Sequence, residues 1–132
     1  MYSEVLLDHF RNPRNAGTIR DADGLGEAEN PVCGDLAKIA IRVAGGRVIE
    51  ARFQMYGCGP SIAAASVGTE LVREMALEQA RTIQAEKIEE ALKGLPPDRK
   101  HAAHVVAEAI RAAIEDHLSR KKTKADRGEC HV

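Results

Sequence analysis

Residues 37–55 of the chain read AKIAIRVAGGRVIEARFQM. Apolar and polar residues alternate in each half of this stretch, which is the pattern of a strand with one buried face. Between the halves stand Gly45 and Gly46, which readily adopt the positive φ angles of a tight hairpin turn. The stretch therefore predicts two antiparallel strands. The apolar face of the second strand is expected to carry Ile49, Ala51, Phe53 and Met55.

Helical patterns stand on both sides of this hairpin. A short helix is predicted from Ser3 to about Arg11, and the residues after it, 15–26, are expected to be irregular. After the second strand, Gly57-Cys58-Gly59-Pro60 indicates an abrupt passage into a second helix. This helix is expected to continue to about Met75.

The remainder of the chain is mostly helical in pattern. Helices are predicted over residues 85–93 and from about Arg99 to Arg120, and the last one carries a long apolar stripe. Residues 1–120 are therefore expected to form one domain. Residues 121–132, which are charged and carry Cys130, are expected to be a disordered tail.

Composition limits the classes of function. The chain has 132 residues, and 19 basic against 20 acidic residues give a net charge of −1. A net charge near zero gives no overall positive electrostatic potential that would attract a polyanion, so nucleic acid is not expected as a partner. No stretch approaches the apolar length that a membrane span needs, and the N-terminus lacks a signal-peptide pattern. We therefore expect a cytoplasmic protein with no membrane partner.

The cysteines suggest metal or sulfur chemistry. Three cysteines are too few for a disulfide framework, so reduced thiols are the better interpretation. Cys33 and Cys58 stand in glycine-flanked turns just before and just after the hairpin, and antiparallel pairing would bring these turns to one edge of the sheet. Cys58 also precedes a helix, whose positive end favours the thiolate that metals bind. Asp35 stands two residues after Cys33, and a carboxylate beside two thiolates suits an exchangeable site better than a permanent structural metal.

A structural interpretation stays open for each of these residues. Cysteine is among the most buried residue types, so either thiol could be a small core residue in a tight turn. His101, at the start of the last predicted helix, is a candidate ligand, although a histidine in such a place is commonly a solvated surface residue. The shared edge of the sheet favours a site at Cys33 and Cys58.

Several short motifs occur along the chain in one characteristic order. They are Tyr2-Ser3-Glu4, Asp8-His9-Phe10, Asn12-Pro13-Arg14-Asn15-Ala16-Gly17, Cys33-Gly34-Asp35, Tyr56-Gly57-Cys58-Gly59, Thr69-Glu70 and Leu95-Pro96-Pro97. Together they resemble the iron–sulfur cluster assembly scaffolds of the IscU and NifU N-terminal domain family, over about residues 2–120. The resemblance implies an α+β fold in which a small antiparallel sheet of about three strands has helices packed on one face. It also implies a scaffold and not an enzyme.

The resemblance implies a role for each candidate residue. Cys33 and Cys58 match the first two cluster ligands of the family, Asp35 matches the aspartate that keeps the cluster labile, and His101 matches a histidine that can be a ligand. The implied cargo is a transient [2Fe-2S] cluster, built from iron and from sulfur that a cysteine desulfurase supplies, and then passed to apoprotein acceptors. The interval from Cys58 to His101 is too short for the insertion of the zinc-binding SufU branch, so the chain resembles the IscU-like branch.

The chain departs from the family pattern in two places. Ala102 stands where the family has a third cysteine, which is also a principal sulfur acceptor. Cys130 is a candidate to complete the ligand set, because an extended tail beyond Arg120 spans roughly 30 Å at about 3.3 Å per residue. The second departure is Asp98-Arg99, in place of valine and lysine, within the segment that an Hsp70-type chaperone recognises in the family.

Two functions remain as hypotheses. The first is a scaffold that assembles a [2Fe-2S] cluster on Cys33 and Cys58, with Asp35, His101 or Cys130 completing the ligands. The second is a divergent relative that holds one zinc or iron ion through Cys33, Cys58, Asp35 and His101 and regulates a cysteine desulfurase. The ratio of metal to acid-labile sulfide distinguishes them.

Overall fold

The computed structural model describes residues 2–31 and 34–126, with side chains described as far as Arg120. Three strands lie in the first half of the chain, and the second half is mostly helical. In chain order the elements are α1 (Glu4–Arg11), β1 (Gly24–Asn30), β2 (Asp35–Ala44), β3 (Arg47–Tyr56), α2 (Gly59–Val72), α3 (Leu77–Arg81), α4 (Ala85–Ala91) and α5 (His101–Asp126).

The three strands form one antiparallel sheet in the order β1-β2-β3. β2 and β3 are the predicted hairpin, and Gly45 and Gly46 turn it with φ angles of 60° and 73°. Helices α2 and α5 pack against one side of the sheet. The residues that β2 buries on this side are Ala37, Ile39 and Ile41. The predicted α+β fold, with a small antiparallel sheet and helices on one face, is confirmed.

A β-bulge in β3 changes the predicted inward face of that strand. The register passes from Glu50 directly to Val48, which leaves Ile49 as the extra residue. The prediction that Ile49 lies on the buried face is wrong, because Ile49 is 45% exposed while Val48 is fully buried. On the other side of the bulge, Ala51 and Phe53 are buried as predicted.

β1 begins inside residues 15–26, which the sequence predicts to be irregular. This prediction is wrong for residues 24–26, which form the start of the strand. Its sequence, GLGEAEN, has low strand propensity. Gly24 and Gly26 instead allow the strand to lie directly on the backbone of α5. A Cβ atom on Gly26 would stand 2.2 Å from the carbonyl oxygen of Ala109. Close packing on α5 therefore fixes β1 at the edge of the sheet.

The helical part differs from the prediction at α3 and at the end of α5. The five residues of α3 carry too little periodicity to be recognised in the sequence. α5 continues to Asp126, so residues 121–126 of the predicted disordered tail are helical, and Cys130 lies outside the described residues. Within the part of the chain that is described, no helix is both long and apolar enough to cross a bilayer.

Candidate functional site

Asp35 is a buried acidic residue at the start of β2. Its side chain is 7% exposed and points to the side of the sheet that the helices cover. The Ser61 hydroxyl donates a hydrogen bond of 2.8 Å to Oδ2 of Asp35, and Nε2 of His101 lies 3.0 Å from the same oxygen. A carboxylate that accepts a hydrogen bond from imidazole requires the proton on Nε2. These two contacts compensate the carboxylate for its loss of water.

Cys58 is the N-cap residue of α2, and its side chain makes no capping hydrogen bond to the backbone. The thiol is partly buried. Its Sγ lies 3.2 Å from the hydroxyl oxygen of Ser61, which stands one helical turn further along α2. Ser61 thus contacts both Cys58 and Asp35.

Gly57 makes this arrangement possible. A Cβ atom at this position would stand 2.5 Å from Oδ1 of Asp35. Only glycine therefore allows the carboxylate to approach the turn that leads into Cys58. The sequence pattern identified Gly57 as part of a turn, but the packing of Asp35 against it could not be predicted from local sequence.

These contacts form a continuous polar network of Cys58, Ser61, Asp35 and His101. Its members come from three elements, namely the beginning of β2, the first turn of α2 and the first residue of α5. The structure brings together Asp35 and His101, two of the predicted site residues, and connects Cys58 to them through Ser61. Sequence reasoning missed Ser61, although its position three residues after Cys58 at a helix start is a signal for contact between the two side chains.

Cys33 and Cys130 both lie outside the described residues. The register does pair Leu36 with Tyr56, so the start of β2 lies beside the end of β3 as the hairpin predicted. Among residues 2–31 and 34–120, no three His, Cys, Asp or Glu side chains converge closely enough to hold a metal ion.

Ala102 is next to His101 on α5 and is fully buried. The methyl group at this position is therefore covered by neighbouring residues and does not reach solvent. His104, one turn further along the helix, is exposed, as expected for a solvated histidine.

A second polar cluster lies between α1 and α2. His9 is buried there, and its Nδ1 lies 2.8 Å from the Ser66 hydroxyl, which also accepts a hydrogen bond from the backbone N–H of Arg14. Burial lowers the pKa of His9 below its ordinary value, and the positive charge of Arg14 adds to this effect. The carboxylate of Glu70, 3.5 Å from Nε2, acts on the pKa in the opposite direction without reversing the shift.

Comparison with known proteins decides the family. Residues 1–124 match the model of the NifU-like N terminal domain. The chain belongs to this family. This confirms the resemblance that the sequence motifs indicated.

Curated relatives are similar to this chain over most of their length. "Iron-sulfur cluster assembly scaffold protein IscU 1" of Archaeoglobus fulgidus is 45% identical over 127 residues, which cover 96% of this chain and 82% of the relative. "Iron-sulfur cluster assembly scaffold protein IscU" of Escherichia coli is 42% identical over 127 residues, which cover 93% of this chain and 98% of the relative.

Solved structures support the fold of this NifU-like domain. The N-terminal part of a nitrogen-fixing NifU-like protein from Brucella abortus superimposes with a TM-score of 0.73 over 89% of this chain and 94% of that one, at 14% identity. A putative iron-sulfur cluster assembly scaffold protein from Fervidobacterium islandicum gives a TM-score of 0.68 over 86% and 96%, at 19% identity. At these identities the likeness concerns the fold alone.

Proposed function

We propose that this NifU-like domain is an iron–sulfur cluster assembly scaffold. It receives sulfur from a cysteine desulfurase, assembles a transient [2Fe-2S] cluster as its cargo, and transfers the cluster to apoproteins. The observation that carries the proposal is the polar network of Cys58, Asp35 and His101, connected through Ser61, in a family whose relatives are named as scaffolds.

The chemistry of these donors fits an iron cargo that must be released. A thiolate is a soft ligand that suits iron, while carboxylate and imidazole ligands hold an iron–sulfur cluster less firmly than further thiolates would. A metal that binds Oδ2 of Asp35 competes with the hydrogen bonds from Ser61 and His101, which lowers its net affinity. Cys33 is proposed as the second thiolate ligand, and Cys130 remains a candidate to complete the set. Zinc suits the same donor types.

Cys58 is proposed as the sulfur acceptor, since Ala102 cannot serve. Its thiolate attacks the outer sulfur of the desulfurase persulfide, a new S–S bond forms as the old one breaks, and the desulfurase cysteine leaves as a thiolate. Conversion of the transferred sulfur to sulfide then takes two electrons from an external reductant. The partners that this function requires are a cysteine desulfurase and apoprotein acceptors. An Hsp70-type chaperone is a weaker proposal because of Asp98 and Arg99.

Ala102 favours one alternative function. With one thiolate fewer than the family pattern, the donor set of Cys33, Cys58, Asp35 and His101 also suits a single zinc or iron ion. In that case the protein would bind a cysteine desulfurase and regulate it without carrying a cluster.

Anaerobic reconstitution tests the proposal. The protein is incubated with Fe²⁺, cysteine, a cysteine desulfurase and dithiothreitol, and then presented to an apo-ferredoxin. We expect sulfur-to-iron charge-transfer absorption, iron and acid-labile sulfide in equal amounts, and transfer to the ferredoxin. One metal ion without sulfide would support the alternative, and a cluster that is never transferred would contradict the scaffold function.

Restoring a cysteine at position 102 sharpens this test. We expect A102C to retain the cluster longer than the wild type, because a further thiolate holds iron more firmly. A103C is the matched control, since Ala103 is also buried and next to it on α5. Equal retention by A102C and A103C would show that residue 102 does not face the cluster.

A further inference from the structure

Ser61 contacts both Cys58 and Asp35. It is fully buried in the first turn of α2, and its hydroxyl contacts Sγ of Cys58 at 3.2 Å and Oδ2 of Asp35 at 2.8 Å. Buried serines are found where a specific hydrogen bond compensates their desolvation. Here that bond is made to a residue of the candidate site.

The hydroxyl of Ser61 has one proton and donates it to Asp35. His101 occupies a second acceptor position of the same carboxylate oxygen, Oδ2. The other oxygen, Oδ1, faces the backbone of Gly57, where a Cβ atom would stand only 2.5 Å away. Asp35 is therefore hydrogen-bonded at Oδ2 and packed against the Gly57 backbone at Oδ1, and a metal that coordinates Oδ2 competes with Ser61 and His101 for this oxygen.

We propose that Ser61 is a positioning residue, and that its hydrogen bond to the Asp35 carboxylate lowers the affinity of the site for its metal cargo. This inference rests on the proposed function, because it assigns Asp35 to the metal-binding set. In the empty site Ser61 stabilises the buried carboxylate. A metal that binds Asp35 competes with this hydrogen bond, so the cargo is easier to release.

Removal of the hydroxyl should strengthen metal binding. In S61A the Asp35 carboxylate keeps only the hydrogen bond from His101, so its loss of water is less well compensated. A bound cation then offsets this desolvation cost more than it does in the wild type. We expect S61A to bind Co²⁺ about tenfold more tightly than the wild type, in the range expected for one lost hydrogen bond to a charged group. A purely structural role of Ser61 predicts the opposite, since a disturbed site binds metal less tightly.

The experiment measures the Co²⁺ dissociation constant of the full chain under anaerobic conditions, from the thiolate-to-cobalt charge-transfer absorption. D35N and the double variant S61A/D35N complete a double-mutant cycle, and we expect S61A to have no effect once Asp35 is replaced. S66A is the matched control, because Ser66 is also fully buried on α2 but contacts His9 and Arg14. Circular dichroism verifies folding, and S61G replaces S61A if the latter does not fold.

Each outcome decides the inference. Tighter binding by S61A that disappears in the D35N background, with S66A equal to the wild type, supports it. Equal or weaker binding by S61A overturns it, as does tighter binding that persists without Asp35. Absence of Co²⁺ binding to both wild type and S61A overturns it as well. The scaffold function is tested separately by cluster transfer, so failure of the inference is distinguishable from failure of the scaffold function.

Discussion

His9 shows how a single residue links the stability of this fold to pH. Burial in the α1–α2 interface lowers the pKa of His9 below its ordinary value of 6.5. The unfolded chain therefore binds a proton at a higher pH than the folded protein does. The contribution of His9 to the free energy of unfolding is complete above about pH 6.5 and is lost as the pH falls toward the pKa of the folded state.

We expect the H9N variant to lose less stability on acidification than the wild type. Asparagine can still accept a hydrogen bond near Ser66, but it does not titrate in this range. Urea unfolding at about pH 7.5 and about pH 5.5 measures the difference. H104N is the control, because it replaces an exposed histidine that lies outside the α1–α2 interface. An unchanged pH dependence in H9N would show that His9 does not carry the effect.

The sequence predicted some site residues and missed another for a physical reason. Asp35 was recognisable from the Cys33-Gly34-Asp35 motif and His101 from its match to a family histidine, and the structure joins them by a hydrogen bond. Ser61 belongs to no motif, because its role comes from contact with Asp35 on a different element, and only folding produces that contact. The distance between Cys33 and Cys58 stays a prediction, since Cys33 lies outside the described residues.

At the scale of elements, β2 and β3 were predictable and β1 was not. The hairpin is indicated by alternation and a Gly-Gly turn, which are local features of the sequence. β1 depends on α5, which comes much later in the chain, because Gly26 brings the two backbones into direct contact. A low-propensity segment that becomes a strand only through tertiary packing carries no local signal.

Replacement of Gly26 tests this account of β1. G26A would place a methyl group 2.2 Å from the carbonyl oxygen of Ala109, so β1 and α5 must move apart. We expect the free energy of unfolding to fall by about 3 kcal/mol. G45A is the matched control: its φ is 60° and a Cβ atom there meets nothing within 4 Å, so only backbone strain of about 1 kcal/mol is expected. Equal losses in urea unfolding would contradict direct packing of β1 on α5.

The bulge in β3 makes opposite predictions for two adjacent residues. Val48 is fully buried, so V48A should cost about 2 kcal/mol of stability through lost packing. Ile49 is the bulged residue and is 45% exposed, so I49A should change stability by less than about 0.5 kcal/mol. Chemical unfolding of both variants measures this. A larger loss of stability in I49A than in V48A would contradict the bulge and would support the prediction from sequence that Ile49 lies on the buried face.

At the scale of the whole molecule, the candidate site requires the complete fold. Asp35, Cys58 and His101 stand at the beginnings of β2, α2 and α5, which the chain brings together only when the sheet and both helices have packed. The unfolded chain does not hold these donors in place. A metal that binds them therefore favours the folded state, and its binding free energy adds to stability.

Thermal unfolding with and without Zn²⁺ tests this coupling. With free Zn²⁺ at about 100 times its dissociation constant, mass action adds about 2.7 kcal/mol, which corresponds to an increase in Tm of roughly 10 °C for a domain of this size. C58S and H101A remove proposed ligands from two different elements, so both should reduce the increase. H104A is the control, because His104 lies one turn from His101 on α5 but is exposed, and it should retain the full increase. An equal increase in C58S would place the metal elsewhere on the molecule, since Cys58, at the start of α2, is the proposed thiolate ligand.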